Sequence, residues 1–199
     1  MLSGMKDTLE KQIGFLRELD RLKSVVRRSI LSHESRRENS AEHSWHVAMV
    51  AMTLVEHSDE PVDLNRVIRM LLVHDIVEID AGDTYIYDMA GNEGKKAREL
   101  EAADRLFGML PDLQRVEFRA LWDEFESKAT PESRFANACD RFIPLLHNYW
   151  AKGHSWEENG VQSADVIRIN RAIGDASGTL WEYAHALIEE SLEKGYLRP

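Results

Sequence analysis

Between Leu9 and Ile30 the apolar residues Ile13, Leu16, Leu19, Leu22, Val26 and Ile30 recur at three- and four-residue steps, the stripe of an amphipathic helix. A polar stretch, SHESRRENS, follows. Within it Asn39 and Glu42 stand at capping-box spacing and open a second predicted helix through Val47, Val50, Leu54 and Val55, with His43 in its first turn. Asp63 caps a third helix, which carries Val67, Ile68, Leu71, Leu72, Ile76 and Ile79 and stops near Gly82. Residues 83–94, with two glycines and no clear period, read as a loop. Helices resume over 95–110 and 113–126, parted by Pro111. Thr130-Pro131 starts a sixth, with Phe135, Phe142, Ile143 and Leu146 along it and Pro144 expected to kink or shorten it. A last helical region from about 161 to 192 carries Val166, Ile169, Ile173, Leu180, Tyr183 and Leu187 and is weakened at Gly174 and Gly178. No alternating strand run of useful length and no internal repeat stands out. The pattern predicts an all-α helical bundle in a single domain over 1–199, with its core about 9–150 and a C-terminal helical region about 160–192 packed on it.

Composition narrows what such a bundle can do. Lys+Arg 25 against Asp+Glu 35 gives a net charge of −10, which repels a nucleic-acid polymer and an anionic membrane. Any phosphate the protein handles must therefore meet a local cation. No stretch approaches ~18 uninterrupted apolar residues, so neither a leader nor a membrane span is expected. The single cysteine, Cys139, cannot form an internal disulfide, and a reducing cytoplasmic location is expected.

The informative anomaly is MLLVHDIVEI at 70–79, where His74 and Asp75 interrupt an apolar helical run. Glu78 lies four residues after His74 and three after Asp75, so all three can project to one side. Asp140, in FANACDRFIPLL, has apolar neighbours on both sides and needs a cation or hydrogen-bond donors. His43 can supply a fourth group. Two imidazoles and two carboxylates suit a divalent transition metal, and their charge of −2 balances the ion.

The ordered set AEHSW at 41–45, VHDIVEIDAGD at 73–83 and the isolated Asp140 resembles the His…His-Asp…Asp signature of the HD-domain metal-dependent phosphohydrolases. The likeness is greatest to their 5′-deoxynucleotidase branch and runs from RLKSVVRR through LWDEFES to ACDRF. The resemblance implies an HD-type helical bundle in which His43, His74, Asp75 and Asp140 hold one divalent ion (Mn, Co, Fe, Mg or Zn). It implies Glu78 and Asp83 as catalytic or water-orienting acids, and Arg28 as the phosphate-binding arginine, with Arg27 beside it as second choice. Ser29 stands where the bacterial deoxynucleotidases carry tryptophan, which bears on sugar or base contacts.

The activity so implied is hydrolysis of deoxyribonucleoside 5′-monophosphates to deoxynucleoside and phosphate, aided by metal, proton transfer and an arginine fork. The alternatives are another HD-type phosphohydrolase with a different nucleotide, or a metal-containing nucleotide-binding module without turnover. His46 reads as supporting the site or as structural. His33, His57, His147, His154 and His185 show no partner pattern. Trp45 and Trp122 read as core, and Tyr85 and Tyr87 as lining a substrate pocket. Homodimer formation is expected through the last helical region.

Overall fold

The computed structural model describes residues 2–32, 36–88 and 91–199, without the side chains of 2–4; His33 lies outside the described residues. The chain begins with α1 (Leu2–Leu19), which ends in a tight turn, Asp20–Ser24. The first predicted helix therefore stops eleven residues short of Ile30. Val25 turns extended, and Val26–Ile30 (β1) pairs antiparallel with Arg37–Asn39 (β2), with Val26 opposite Asn39 and Ile30 opposite Arg37. The reason is periodic: a four-residue step keeps one face in a helix and equally in a strand, so Leu22, Val26 and Ile30 do not distinguish the two. Strand alternation turns Arg27 and Ser29 inward and leaves Val26 and Arg28 exposed.

Apart from this two-stranded ribbon and an isolated bridge between Gln162 and Arg198, the regular structure of the described residues is helical, as expected. α2 (Ser40–Leu54) opens on the predicted capping box, with the Asn39 side chain accepting from the Glu42 amide at 3.0 Å and Glu42 returning to the Asn39 amide at 3.1 Å. α3 (Leu64–Val73) is capped by Asp63. It then tightens into a 3₁₀ turn over His74–Val77 before α4 (Glu78–Ala81), where one continuous helix was expected. α5 (Lys95–Gly108) and α6 (Asp112–Ser127) follow.

α7 (Pro131–Trp150) runs through Pro144 unbroken, because the proline does not shorten it. A proline there cannot donate to the carbonyl of Asp140, one turn earlier, so helical hydrogen bonding is relaxed at that residue. The C-terminal region divides into α8 (His154–Glu158), α9 (Ser163–Asn170), a turn at Arg171–Asp175, and α10 (Gly178–Glu193), which Ser177 caps through the Leu180 amide at 3.1 Å.

α7 is the axis of the core and touches α2, α3, α6, α10 and β1. Its buried row includes Phe135, Ala136, Cys139, Phe142 and Ile143, meeting Val47 and Ala51 of α2 and Met70 and Leu71 of α3. Each large side chain so buried contributes ~1.5–3 kcal/mol. One apolar cluster runs from Phe15 to Leu197, so the C-terminal helices share it. Two expectations fail at the surface. Trp45 is 63% exposed rather than core. α10 buries Leu180, Ala184, Leu187 and Ile188 inside the chain, whereas Leu9, Ile13 and Leu16 of α1 face outward.

Candidate functional site

The four candidate ligands arrive from three places and converge. α2 presents His43 in its first turn, the 3₁₀ turn after α3 presents His74 and Asp75, and α7 presents Asp140 from its middle. His43 Nε2 lies 2.8 Å from Asp140 Oδ1 and 4.0 Å from Asp75 Oδ2. His74 Nε2 lies 3.1 Å from Asp75 Oδ1 and 3.5 Å from Asp140 Oδ1. Both imidazoles and Asp75 are buried, and ligating atoms of the three fall within 4.8 Å of one another.

The second nitrogen of each imidazole tells what this centre can hold. His74 Nδ1 donates to the Leu71 carbonyl at 2.7 Å, which leaves the Nε2 lone pair facing the carboxylates, buried and without a hydrogen-bond partner. His43 Nδ1 faces Glu38 Oε2 at 3.4 Å, the outer carboxylate that commonly orients a metal-ligating histidine. A lone pair aimed at carboxylate oxygens is repulsive unless a cation lies between them, so the donor set fits a divalent ion. Protons take that place otherwise. Burial and Arg27 lower the His43 imidazolium, yet Asp140, Glu38 and Asp75 raise it on balance to about 9. Burial pushes the Asp140 carboxyl up, but the hydrogen bond from His43 and the positive charge of both imidazoles, when protons occupy the centre, hold it well below the usual carboxylate range.

Around this centre stand the groups that can act on a ligand. Glu78, at the start of α4, accepts a hydrogen bond of 2.5 Å from the Ser40 hydroxyl. Burial, then the charge of Asp75, pushes its carboxyl up to about 8. Asp83 follows Gly82, whose φ of 74° is the left-handed conformation that turns the chain back toward the cluster. Burial raises Asp83 as well, against the pull of Arg27.

The inward arginine is Arg27, and the expected Arg28 sits on the opposite face of β1. The Arg27 guanidinium lies 2.9 Å from Asp75, 3.5 Å from Asp83 and 3.7 Å from Glu78. Arg28 is exposed and lines the rim of the same cleft. Lys95 and Arg141 join the lining, so four cationic side chains stand at this cleft in a chain of net charge −10. Tyr85 and Tyr87 line it too; the Tyr85 hydroxyl is 3.2 Å from Ser155 Oγ, and the Tyr87 hydroxyl accepts from Asn170 at 3.4 Å.

Sequence reasoning thus named the residues that converge but missed Glu38 and ranked Arg27 second. The sequence signal for both was the β1–β2 ribbon, whose alternation is only five and three residues long. His46 and His147, given no ligand role from sequence, gather with Glu38, whose Oε2 is the same oxygen that faces His43 Nδ1.

The HD domain family matches residues 19–181. The crystal structure of a predicted metal-dependent phosphohydrolase from Magnetospirillum magnetotacticum MS-1 superposes with a TM-score of 0.93 at 49% identity, covering 97% of each chain. The human 5′-deoxynucleotidase HDDC2 is 32% identical over 67% of this chain and 65% of its own length, so the match spans a little under two thirds of that relative. The 5′-deoxynucleotidase hdd1 of Schizosaccharomyces pombe is 30% identical over 93% of this chain and 86% of its own.

Proposed function

The chain belongs to the HD-domain family, and from that premise we propose that it is a metal-dependent 5′-deoxynucleotidase, hydrolysing deoxyribonucleoside 5′-monophosphates to deoxynucleoside and phosphate. The observation that carries this is one cleft lined by the two carboxylates of the imidazole–carboxylate centre, Asp75 and Asp140, by the buried Glu78 and by a cluster of cations. The relatives named as 5′-deoxynucleotidases support the substrate class. His43, His74, Asp75 and Asp140 are the residues that would hold the ion, one of Mn, Co, Fe, Mg or Zn. Bound there, it supplies charge neutralisation at a phosphoryl oxygen and a more acidic water.

The chain's own groups do the rest. Arg27 neutralises the phosphate from inside the cleft and Arg28 from its rim, each offering a planar fork to phosphate oxygens. Asp83, at the mouth of the carboxylate cluster, orients the attacking water and takes its proton. Glu78 carries a proton near neutral pH and passes it to the 5′-oxygen as the phosphorus–oxygen bond breaks. The oxygen of water forms the new bond to phosphorus, and the products are the neutral nucleoside and inorganic phosphate. Tyr85 and Tyr87 offer aromatic faces where the sugar and base would lie.

Among the described residues no helix is long and apolar enough to cross a membrane. A cytoplasmic location accords with the unpaired, buried Cys139. We assign self-association, as a homodimer, to the outward row Leu9, Ile13 and Leu16 of α1. The catalytic reading is tested by reconstituting the metal-stripped protein with each ion and measuring phosphate release from paired deoxyribo- and ribonucleoside monophosphates. Metal-dependent release that favours the deoxy series is expected. A protein that holds metal and nucleotide yet releases no phosphate is a binding module instead.

A further inference from the structure

Glu38 Oε2 stands between two sets of groups: His43 Nδ1 at 3.4 Å and Arg27 Nε at 3.8 Å, and His147 Nδ1 at 3.9 Å with His46 beside it. Ligating atoms of Glu38, His46 and His147 all lie within 4.8 Å of one another, with His147 Nδ1 3.9 Å from Glu38 Oε2 and the two imidazole centroids 5.4 Å apart. Glu38 and His147 are 1% and 3% exposed, and His46 is half-buried. Both Glu38 Oε2 and His147 Nδ1 are buried without a hydrogen-bond partner. His147 Nδ1 thus has no hydrogen-bond partner, and Glu38 Oε2 has, apart from His147, only the longer contacts to His43 at 3.4 Å and Arg27 at 3.8 Å, so a cation held by both would recover free energy lost on burial.

The backbone explains how the set arises. His46 follows His43 by three residues on α2, and His147 follows Asp140 by seven on α7, so both spacings keep a helix face. The two helices that build the first centre therefore meet again beside it, with β2 inserting Glu38 between. Burial lowers the imidazolium of His46 and takes that of His147 down to about 4, which favours the neutral, ligating form of each ring.

We propose that Glu38, His46 and His147 form a second divalent-metal site, distinct from the His43–His74–Asp75–Asp140 centre and sharing the Glu38 carboxylate with it. Two neutral nitrogens and one carboxylate without sulfur suit Zn²⁺ or Co²⁺, and three protein ligands leave further coordination to water from the cleft beside Trp45 and Trp150. The site stands whether or not the protein is a nucleotidase, because it is read from binding.

The full chain, stripped by a chelator and titrated with CoCl₂, tests it by visible absorption and by elemental analysis after desalting. Two equivalents are expected for the wild type, and one for His46→Gln/His147→Gln with the spectrum of the first centre retained. Asp75→Asn/Asp140→Asn is expected to keep the other equivalent. His46→Gln alone, at a half-buried position, should weaken the second equivalent at least 10-fold with an unchanged circular dichroism spectrum. A wild type that saturates at one equivalent overturns the proposal. So does a second equivalent whose affinity His46→Gln leaves unchanged, or a double His variant that still holds two.

Discussion

His43 and Asp140 lie 97 residues apart in the chain, and their side chains meet at 2.8 Å, joining the first turn of α2 to the middle of α7. That contact fixes the two helix-borne ends of the centre, while His74 and Asp75 close it from the turn after α3. Replacing Asp140 by asparagine keeps the shape and removes one ligand charge. Bound metal should fall below a tenth of the wild-type content, and phosphate release at least 100-fold with it. Elemental analysis and a phosphate assay on the same preparation check this; full metal content in D140N would remove Asp140 from the ligand set.

Glu78 is the residue for which metal binding and chemistry should separate. Glu78→Gln preserves the hydrogen-bonding reach toward Ser40 but holds no transferable proton. The expected result is metal stoichiometry equal to wild type with kcat lowered about 10²–10⁴-fold. Comparable turnover by E78Q would assign the proton to another group, Asp83 first.

Arg27 and Arg28 make a matched pair of tests because β1 sends them to opposite faces. Arg27→Met strands Asp75, Glu78 and Asp83 without their cation, and should cost about 3–5 kcal/mol of stability in the metal-free protein as well as most activity. Arg28→Met, at an exposed position, should change stability by under about 0.5 kcal/mol and raise KM several-fold. Urea unfolding beside steady-state kinetics measures both. The reverse ranking would mean that the strand presents Arg28 to the phosphate.

The metal-stripped protein should lose stability as pH rises from about 6.5 to 8. His43, raised from 6.5 to about 9, binds its proton more tightly folded than unfolded, so its contribution is full below 6.5 and lost as pH passes 9. Glu78, raised from 4.5 to about 8, likewise holds a proton when folded that the unfolded chain has released, so its contribution falls as pH rises from 4.5 to about 8 and overlaps that of His43 between 6.5 and 8. Saturating metal takes over from those protons and should flatten the slope. Thermal unfolding at several pH values, with and without metal, reads it; an equal slope in both series would show that the centre is not where these protons reside.

Gly153 joins α7 to α8 with φ 77°, and a Cβ there would stand 1.7 Å from the Tyr196 carbonyl oxygen. Gly153→Ala should therefore cost more than 2 kcal/mol, by strain and by displacement of the C-terminal segment. Gly160, with φ 65° and open space around it, supplies the control and should lose only about 1 kcal/mol on the same change. Equal losses would attribute the whole effect to φ.

The sequence by itself determined the helical character, most helix starts and the four residues that converge. These rest on local rules: the Asn39–Glu42 box, the Asp63 cap, the Thr130-Pro131 start, and ionisable groups at His74, Asp75 and Asp140 in apolar surroundings that need a partner. Tertiary structure alone decided which arginine turns inward, because the four-residue steps of Leu22, Val26 and Ile30 serve helix and strand alike until β2 pairs with β1. It also decided the role of Glu38, whose surroundings are made by α2 and α7 and not by its neighbours in SHESRRENS. The outward face of α1 and the buried face of α10 reversed the expectation for the same reason: amphipathic spacing marks an apolar face, and only the packed chain says what covers it.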